Sequence, residues 1–311
     1  MPVSFSPRPV QSTIAIPQRV VLTGSGGFVG SVLAKRLPDP MRLHLAKPGW
    51  REAIAGIDFR EATVIHLAAR AHDRRARAED FDRDNVEKTA VLAEAAAEGG
   101  ATRFVFAGTV KVHGEETRGA PFRPDSPPAP EDDYARSKWR AEDRLDEISS
   151  RTGLHVVVVR MPLVYGPGVG GNFASLLRLA DSGAWLPFAA IRNRRSLVHV
   201  ADLAEALLLA ATHPQAPGRD YIAAHPEGVS TPGLVTAIRA SLGRPARLFP
   251  VPAAVLELAA ASAGMRAKVL RLTRSLEVDP ANLVSELGWT PRLDLARGLV
   301  DTVAHWREGR H

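Results

Sequence analysis

Three short runs, residues 63–68 (TVIHLA), 103–107 (RFVFA) and 155–160 (HVVVVR), are apolar at almost every position, with no alternation of polar side chains. No other feature constrains the chain as strongly. A strand that is apolar on both sides has to be covered on both faces, and parallel sheets crossed by helices meet that condition. Helical spacing separates the runs, at 28–37, 85–98 and 134–150, and residues 19–23 and 41–46 read as two further strands upstream. Strand–helix alternation with right-handed crossovers predicts an α/β fold with a doubly wound parallel sheet. Past Met161 the pattern loosens into Gly- and Pro-rich turns and short helices at 173–182, 202–212 and 231–242. This half reads as a smaller, mixed lobe, with some elements returning to the sheet. The division expected is a loose leader at 1–18, the sheet domain at 19–165 and the lobe at 166–311.

The bulk numbers narrow the function classes. The 311 residues are 45% hydrophobic and 24% charged, enough for a sizeable core without a disulfide or metal staple. There is no cysteine, so disulfides and thiolate catalysis have no residue to use; this fits a reducing, cytoplasmic setting. No metal site is expected. No apolar run reaches the roughly 18 residues of a membrane span. The nearest, 251–264, is broken by Pro252 and Glu257 and reads as a core or interface helix. The net charge of +6 is scattered: the densest cluster, Arg74, Arg75 and Arg77, is followed at once by Glu79, Asp80 and Asp82. That reads as a solvated face, not a nucleic-acid surface, while positive potential suits a small dianionic substrate.

Val20–Val21–Leu22 runs into Thr23-Gly-Ser-Gly-Gly-Phe-Val-Gly30, where a helix begins. Strand, glycine turn and helix together form a phosphate site, because the turn brings backbone close and the helix start offers free N–H groups. The spacing is G-x-x-G-x-x-G (Gly24, Gly27, Gly30), a Rossmann-type turn that differs from G-x-G-x-x-G by Val29. Tyr134 and Lys138 stand four apart at the start of a predicted helix, on one face. A free phenol titrates near pH 10 and is a poor base. A fixed ammonium beside it lowers that value and makes proton exchange feasible. Thr109 follows the 103–107 strand at its carboxyl end, where such sheets bind ligands, and its hydroxyl is placed to bond a reacting oxygen.

The order T-G-x-x-G-x-x-G, His66-Leu-Ala-Ala69, Asn85 in F-D-R-D-N-V, a strand ending in Thr, then Tyr-x-x-x-Lys resembles the extended short-chain dehydrogenase/reductase family. The likeness runs on through Arg160-Met-Pro162, Tyr165-Gly-Pro167, Asn172-Phe173, Arg195 to Val200 with Asp202, and Leu287-Gly-Trp289 with Pro291. This second half is similar to the nucleotide-sugar epimerase, dehydratase and 4-keto-reductase branch, especially proteins of the UDP-glucose 4-epimerase type.

The resemblance implies a nicotinamide cofactor, NAD or NADP, with Gly24, Gly27, Phe28, Val29 and Gly30 at its pyrophosphate. Leu67, Ala68, Ala69 and Pro162 would line its path, and Lys138 would bond its ribose. It implies proton exchange at Tyr134, Thr109 on the sugar oxygen, and Asn172 and Arg195 on the diphosphate of a UDP-sugar. It also implies a homodimer through the helix of Tyr134. His66 reads as a packed, hydrogen-bonded strand end and Asp202 as the cap of a helix at Leu203. Four departures stand out. Val110-Lys111 replaces the Asp-Glu pair of dehydratases after Thr109, and Leu163 replaces an Asn in the R-x-x-N-x-Y-G-P stretch. The 47–63 segment is also too short for the usual helix, strand and helix. No acidic residue closes the second strand to meet an NAD ribose; Ala46-Lys47-Pro48 stands there, which suits a 2′-phosphate.

Overall fold

The computed structural model describes residues 14–71, 73, 75–262 and 264–309. Most of the expected leader therefore lies outside the described residues, as does Arg74 of the arginine cluster. In chain order the first elements are β1 (Val20–Thr23), α1 (Phe28–Ala34), β2 (Met41–Leu43), α2 (Trp50–Ala55) and β3 (Thr63–His66). Next come α3 (Ala78–Phe81), a π-helical stretch (Asp82–Glu87), α4 (Lys88–Glu98), β4 (Arg103–Thr109) and a 3₁₀ turn (Val110–His113). They are followed by α5 (Asp133–Thr152), β5 (His155–Met161), β6 (Leu163–Tyr165), α6 (Gly171–Asp181), β7 (Leu197–His199) and α7 (Val200–Thr212). The chain closes with β8 (Arg219–Ile222), α8 (Thr231–Ser241), α9 (Ala253–Ser262), α10 (Arg266–Thr273), α11 (Ala281–Leu287) and α12 (Leu295–Glu308).

Six strands form one parallel sheet in the order β2-β1-β3-β4-β5-β8, and β6 pairs with β7 in a second, two-stranded parallel sheet. The apolar runs divide by the period-two rule of strands. Val20, Leu22, Ile65, Val105, Val157 and Val159 face one layer with Leu33 and the buried α7 residues Leu203 and Leu207. Val21, Val64, Phe104, Phe106, Val156 and Val158 face the other, with Leu92, Ala96, Ala141 and Leu145 of α4 and α5. A third cluster joins Phe173, Leu177, Leu197, Leu234, Ile238, Leu299 and Val303 from α6, β7, α8 and α12.

Strand order reverses between β1 and β3, since β1 has β2 on one side and β3 on the other. Crossovers leaving to opposite faces open a crevice at the carboxyl ends of those two strands. The 47–63 segment holds one short helix and runs straight into β3, so β2 is left as the sheet edge with Met41 and Arg42 exposed.

Several expectations are corrected in detail. The second strand ends at Leu43, not 46, and α1 ends at Ala34, not 37. Thr109 is the last residue of its strand, not a residue beyond it. Asp202 does not cap a helix: α7 begins directly after β7 at Val200, and the His199 ring accepts from the Ala201 N–H. The Asp202 carboxylate accepts from the N–H groups of Arg292 (3.0 Å) and Leu293 (3.4 Å), while its carbonyl takes the buried Trp289 indole N–H. Asp202 thus ties the Leu-Gly-Trp segment to the lobe. The stretch expected as a core or interface helix forms α9 (Ala253–Ser262) and is not part of the core, because Leu258 is 76% and Val255 54% exposed.

Candidate active site

Two glycines shape the first turn. Gly24 has φ +68°, and a Cβ there would stand 2.7 Å from the backbone of Leu67 and Ala68. A Cβ on Gly30 would stand 2.0 Å from the Gly24 carbonyl oxygen, so α1 can close on β1 only without one. Gly26, by contrast, faces open space, and Gly27 starts α1 with no side chain capping the helix. Bare backbone with free N–H groups at the reversal point of the sheet has room for a pyrophosphate. Phe28 and Val29 are partly buried on the first turn of α1. Gly30→Ala is expected to cost about 1–3 kcal/mol by overpacking, read as a lower melting temperature than that of the parent.

The loop after β3 is held from three sides. Thr23 Oγ1 accepts from the N–H groups of Leu67 (3.2 Å) and Ala68 (3.1 Å) and lies 2.7 Å from His66 Nδ1. His66 Nε2 lies 2.9 Å from Thr89 Oγ1, whose hydroxyl donates to the Asn85 carbonyl at 2.6 Å. The proton order follows: Thr23 donates to Nδ1, and Nε2–H donates to Thr89, which makes His66 neutral and protonated on Nε2. Burial, together with the nearby Lys138 charge, depresses His66 to about 3. The expectation of a packed, hydrogen-bonded histidine is met.

Asn85 sits in the π-helical stretch, where the widened turn directs it inward. Its Oδ1 accepts from the Arg70 N–H (2.7 Å), and its Nδ2 donates to the Arg70 carbonyl (3.0 Å) and to Ser137 Oγ (2.9 Å). Ser137 donates in turn to the Tyr134 carbonyl at 2.8 Å. One side chain therefore joins the loop of Leu67, Ala68 and Ala69 to the first turn of α5. In the sequence Asn85 is only a motif letter and Ser137 one of the unspecified positions between Tyr134 and Lys138, with no task given to either.

α5 starts one residue before Tyr134, with Asp132 accepting from the Ala135 N–H (2.7 Å) as its cap. Lys111 makes ion pairs with Asp132 and with Glu115, and its ammonium stands 5.7 Å from the Tyr134 ring centroid. The Thr109 hydroxyl stands close enough to the Tyr134 phenol to favour its ionised form. Burial raises the phenol to about 12; Asp132 and Glu142 push the same way, and the Thr109 hydroxyl opposes them. The predicted acidification by Lys138 is therefore absent from this arrangement. The Lys138 ammonium is buried and rests on the Phe106 ring, 3.7 Å from its centroid. Its pKa is brought down to about 7 by burial, against the pull of Glu142. Tyr134, Thr109 and Lys138 do converge at the carboxyl end of β4, two strands from the glycine turn.

The other predicted residues are placed less tightly. Pro162 is buried between β5 and β6. Arg195 is half-buried, donates from Nη1 to the Arg274 carbonyl (3.1 Å), and is lowered to about 10 by burial, with Glu115 opposing and Arg271 assisting. Asn172 is exposed on the first turn of α6.

A sequence profile described as "NAD dependent epimerase/dehydratase family" matches residues 20–224, about two thirds of the chain. The chain belongs to that family. It is 36% identical to a UDP-glucose 4-epimerase of Vibrio cholerae over 312 aligned positions, covering 92% of this chain and 95% of the relative. A dTDP-glucose 4,6-dehydratase of Actinoplanes is 29% identical, with 97% of this chain and 92% of that protein covered. Among solved structures, a Thermotoga maritima UDP-glucose 4-epimerase with UDP-glucose superposes with a TM-score of 0.74 at 22% identity, over 94% of this chain and all of the other. The DesIV dTDP-glucose 4,6-dehydratase of Streptomyces venezuelae, with NAD bound, gives 0.76 at 23% identity, over 94% and 98%. The fold is the Rossmann-type one of the extended short-chain dehydrogenase/reductases. Among the described residues of this family member, no helix is long and apolar enough to cross a membrane.

Proposed function

We propose that this family member exchanges hydride and proton at C4 of a UDP-sugar, as a 4-epimerase using NAD. The observation that carries the reading is the convergence of Tyr134, Thr109 and buried Lys138 at the carboxyl end of β4, two strands from the glycine turn. When bound, the oxidised nicotinamide supplies a hydride acceptor and a positive charge. Gly24, Gly27, Phe28, Val29 and Gly30 would hold its pyrophosphate, Leu67, Ala68, Ala69 and Pro162 its flank, and Lys138 its ribose.

The chain's own chemistry is proton handling. Tyr134 Oη is the group that takes and returns the C4 hydroxyl proton, and Thr109 Oγ1 fixes the line along which it does so. A phenol raised to about 12 keeps its proton in the free protein, so release awaits added positive charge in the closed site. Elimination of water is disfavoured: Val110 is buried and apolar, and Lys111 is engaged with Glu115 and Asp132, so no carboxylate pair follows Thr109. A 4-keto-sugar reductase would use the same residues. The bare β2 edge, with no acidic residue at its end, favours testing NADPH beside NADH in that direction.

The deciding experiment incubates UDP-glucose with the purified protein and identifies, by mass spectrometry, any nucleotide that co-purifies. Retained NAD with appearance of UDP-galactose supports the epimerase. Stoichiometric loss of NAD(P)H with a 4-keto sugar supports the reductase, and neither result would leave a non-catalytic cofactor binder on the same fold. Arg195 is proposed at the diphosphate, where a planar guanidinium bonds two oxygens at once. Arg195→Ala is expected to raise KM for the UDP-sugar roughly 10- to 100-fold, the worth of a charge-assisted bond, with a smaller change in kcat. Steady-state kinetics check this. A homodimer is proposed on the groove between the π-helical stretch, α4 and α5. There Val86, Ala90 and Val91 are rimmed by Glu87, Arg140 and Arg144, and light scattering reads the mass.

A further inference from the structure

We propose that Glu142 is the positioning residue for Lys138: its carboxylate, clamped by Arg160 over the gap left by Gly108, holds Lys138 as an ammonium aimed at the site. This deepens the reading of Lys138 given above and rests on it. Glu142 follows Lys138 by four residues on α5, so the two share one helix face. Both are 2% exposed. Glu142 Oε2 accepts two bonds from Arg160, from Nε at 3.1 Å and Nη2 at 2.8 Å. Arg160 Nη2 also reaches Asp220 at 2.7 Å, and Nη1 donates to the Pro124 carbonyl at 2.7 Å. With all three of its nitrogens bonded, the guanidinium locks the carboxylate plane. Glu142 Oε1 is left buried with no hydrogen-bond partner.

That free oxygen lies over β4 next to Thr109. A Cβ on Gly108 would stand 2.8 Å from Glu142 Oε1 and 2.9 Å from Arg160 Cγ, so glycine at this position is what lets the ion pair pass over the strand. A buried carboxylate oxygen without a donor is costly. The buried Lys138 ammonium rests on the Phe106 ring, and the carboxylate one helical turn along is the opposite charge that acts on it. The charged and titratable groups facing Lys138 are Glu142 on its own helix, Arg160 of β5 and Asp220 of β8 behind it, and His66 of β3. Burial drives Lys138 down and Glu142 up, each to about 7, and each opposes the shift of the other. The sign of removing Glu142 is therefore fixed: Lys138 loses its proton at lower pH.

The chain has six lysines, Lys35, Lys47, Lys88, Lys111, Lys138 and Lys268. The Lys138 Cε signal in a lysine-labelled NMR spectrum of the cofactor-free protein is identified by its loss in Lys138→Met. Glu142→Gln is expected to move the Lys138 titration midpoint down by about one pH unit or more, the effect of deleting a close opposite charge. The descending alkaline limb of kcat/KM should move with it. Glu142→Asp, which keeps the charge but withdraws it by one methylene, is expected to give a smaller fall and serves if the Gln variant does not fold. An unchanged Lys138 midpoint in whichever variant folds would overturn the inference. Failure of the underlying reading looks different: Tyr134→Phe would turn over at the parent rate while the Lys138 midpoint still fell in Glu142→Gln.

Discussion

Tyr134→Phe is expected to lower turnover of the UDP-sugar by roughly 10²- to 10⁴-fold, the usual contribution of a positioned acid–base group. Cofactor affinity should remain within a few-fold of the parent. The substitution removes one oxygen from a half-buried ring whose hydroxyl stands near the Thr109 side chain. α5 keeps its Asp132 cap, and Asn85 still reaches Ser137, because neither contact uses the phenol. Thr109 keeps the bond it accepts from the Lys111 N–H at 3.3 Å. Loss of rate without loss of melting temperature or of NAD-induced stabilisation is the signature of a proton-transfer group. A variant retaining the parent kcat would remove Tyr134 from the chemistry and, with it, the reading of Thr109 and Lys138 as its partners.

How far the sequence carried this conclusion depends on how local the determinant is. The glycine turn and the Tyr-x-x-x-Lys pair are legible because each acts within one or two turns of chain. Gly24 needs its positive φ, and Tyr134 and Lys138 need only a common helix face. The parallel sheet is legible because burial on both faces writes continuous apolar strands. What escaped were side chains whose task lies across the sheet. Asn85 joins Arg70 to Ser137 over 15 and 52 residues of separation, and nothing in its neighbourhood marks the π-helical turn that directs it. Arg160 was a motif letter until β5 set it beside Glu142, Asp220 and the gap at Gly108. Asp202 was misread for the same reason: as an acidic residue ahead of an apolar run it matches a helix cap. The carboxylate is instead used by backbone N–H groups some 90 residues later. The expected acidification of Tyr134 also failed on a tertiary fact, the burial of the phenol, which raises it with Asp132 and Glu142 pushing the same way.

The second large effect is loss of stability in mild acid, centred on two histidines. His66 is 1% exposed and depressed to about 3, and His113, 4% exposed, is depressed to about 4, in both cases chiefly by burial. An unfolded histidine titrates near 6.5. Between those values the unfolded chain holds protons that the native chain does not, so stability is full above about pH 6.5 and falls as pH drops toward the folded values. At pH 5 each histidine forfeits about 2 kcal/mol, and the pair about 4 kcal/mol relative to pH 7.5. The hydrogen bonds at His66 explain why the native state cannot accept the proton cheaply. Nδ1 already accepts from Thr23, whose oxygen takes the Leu67 and Ala68 N–H groups, and Lys138 adds a like charge nearby. Protonation of Nδ1 would leave two donors facing each other in a dry site beside the loop that lines the crevice. Urea denaturation at pH 7.5 and 5.0 measures the difference directly, and His66→Gln should remove about half of it. A pH-independent midpoint over this range would mean that both rings are reached by water or protonated in the folded chain, and that the polar relay from Thr23 to Asn85 is not the rigid support of the crevice described above.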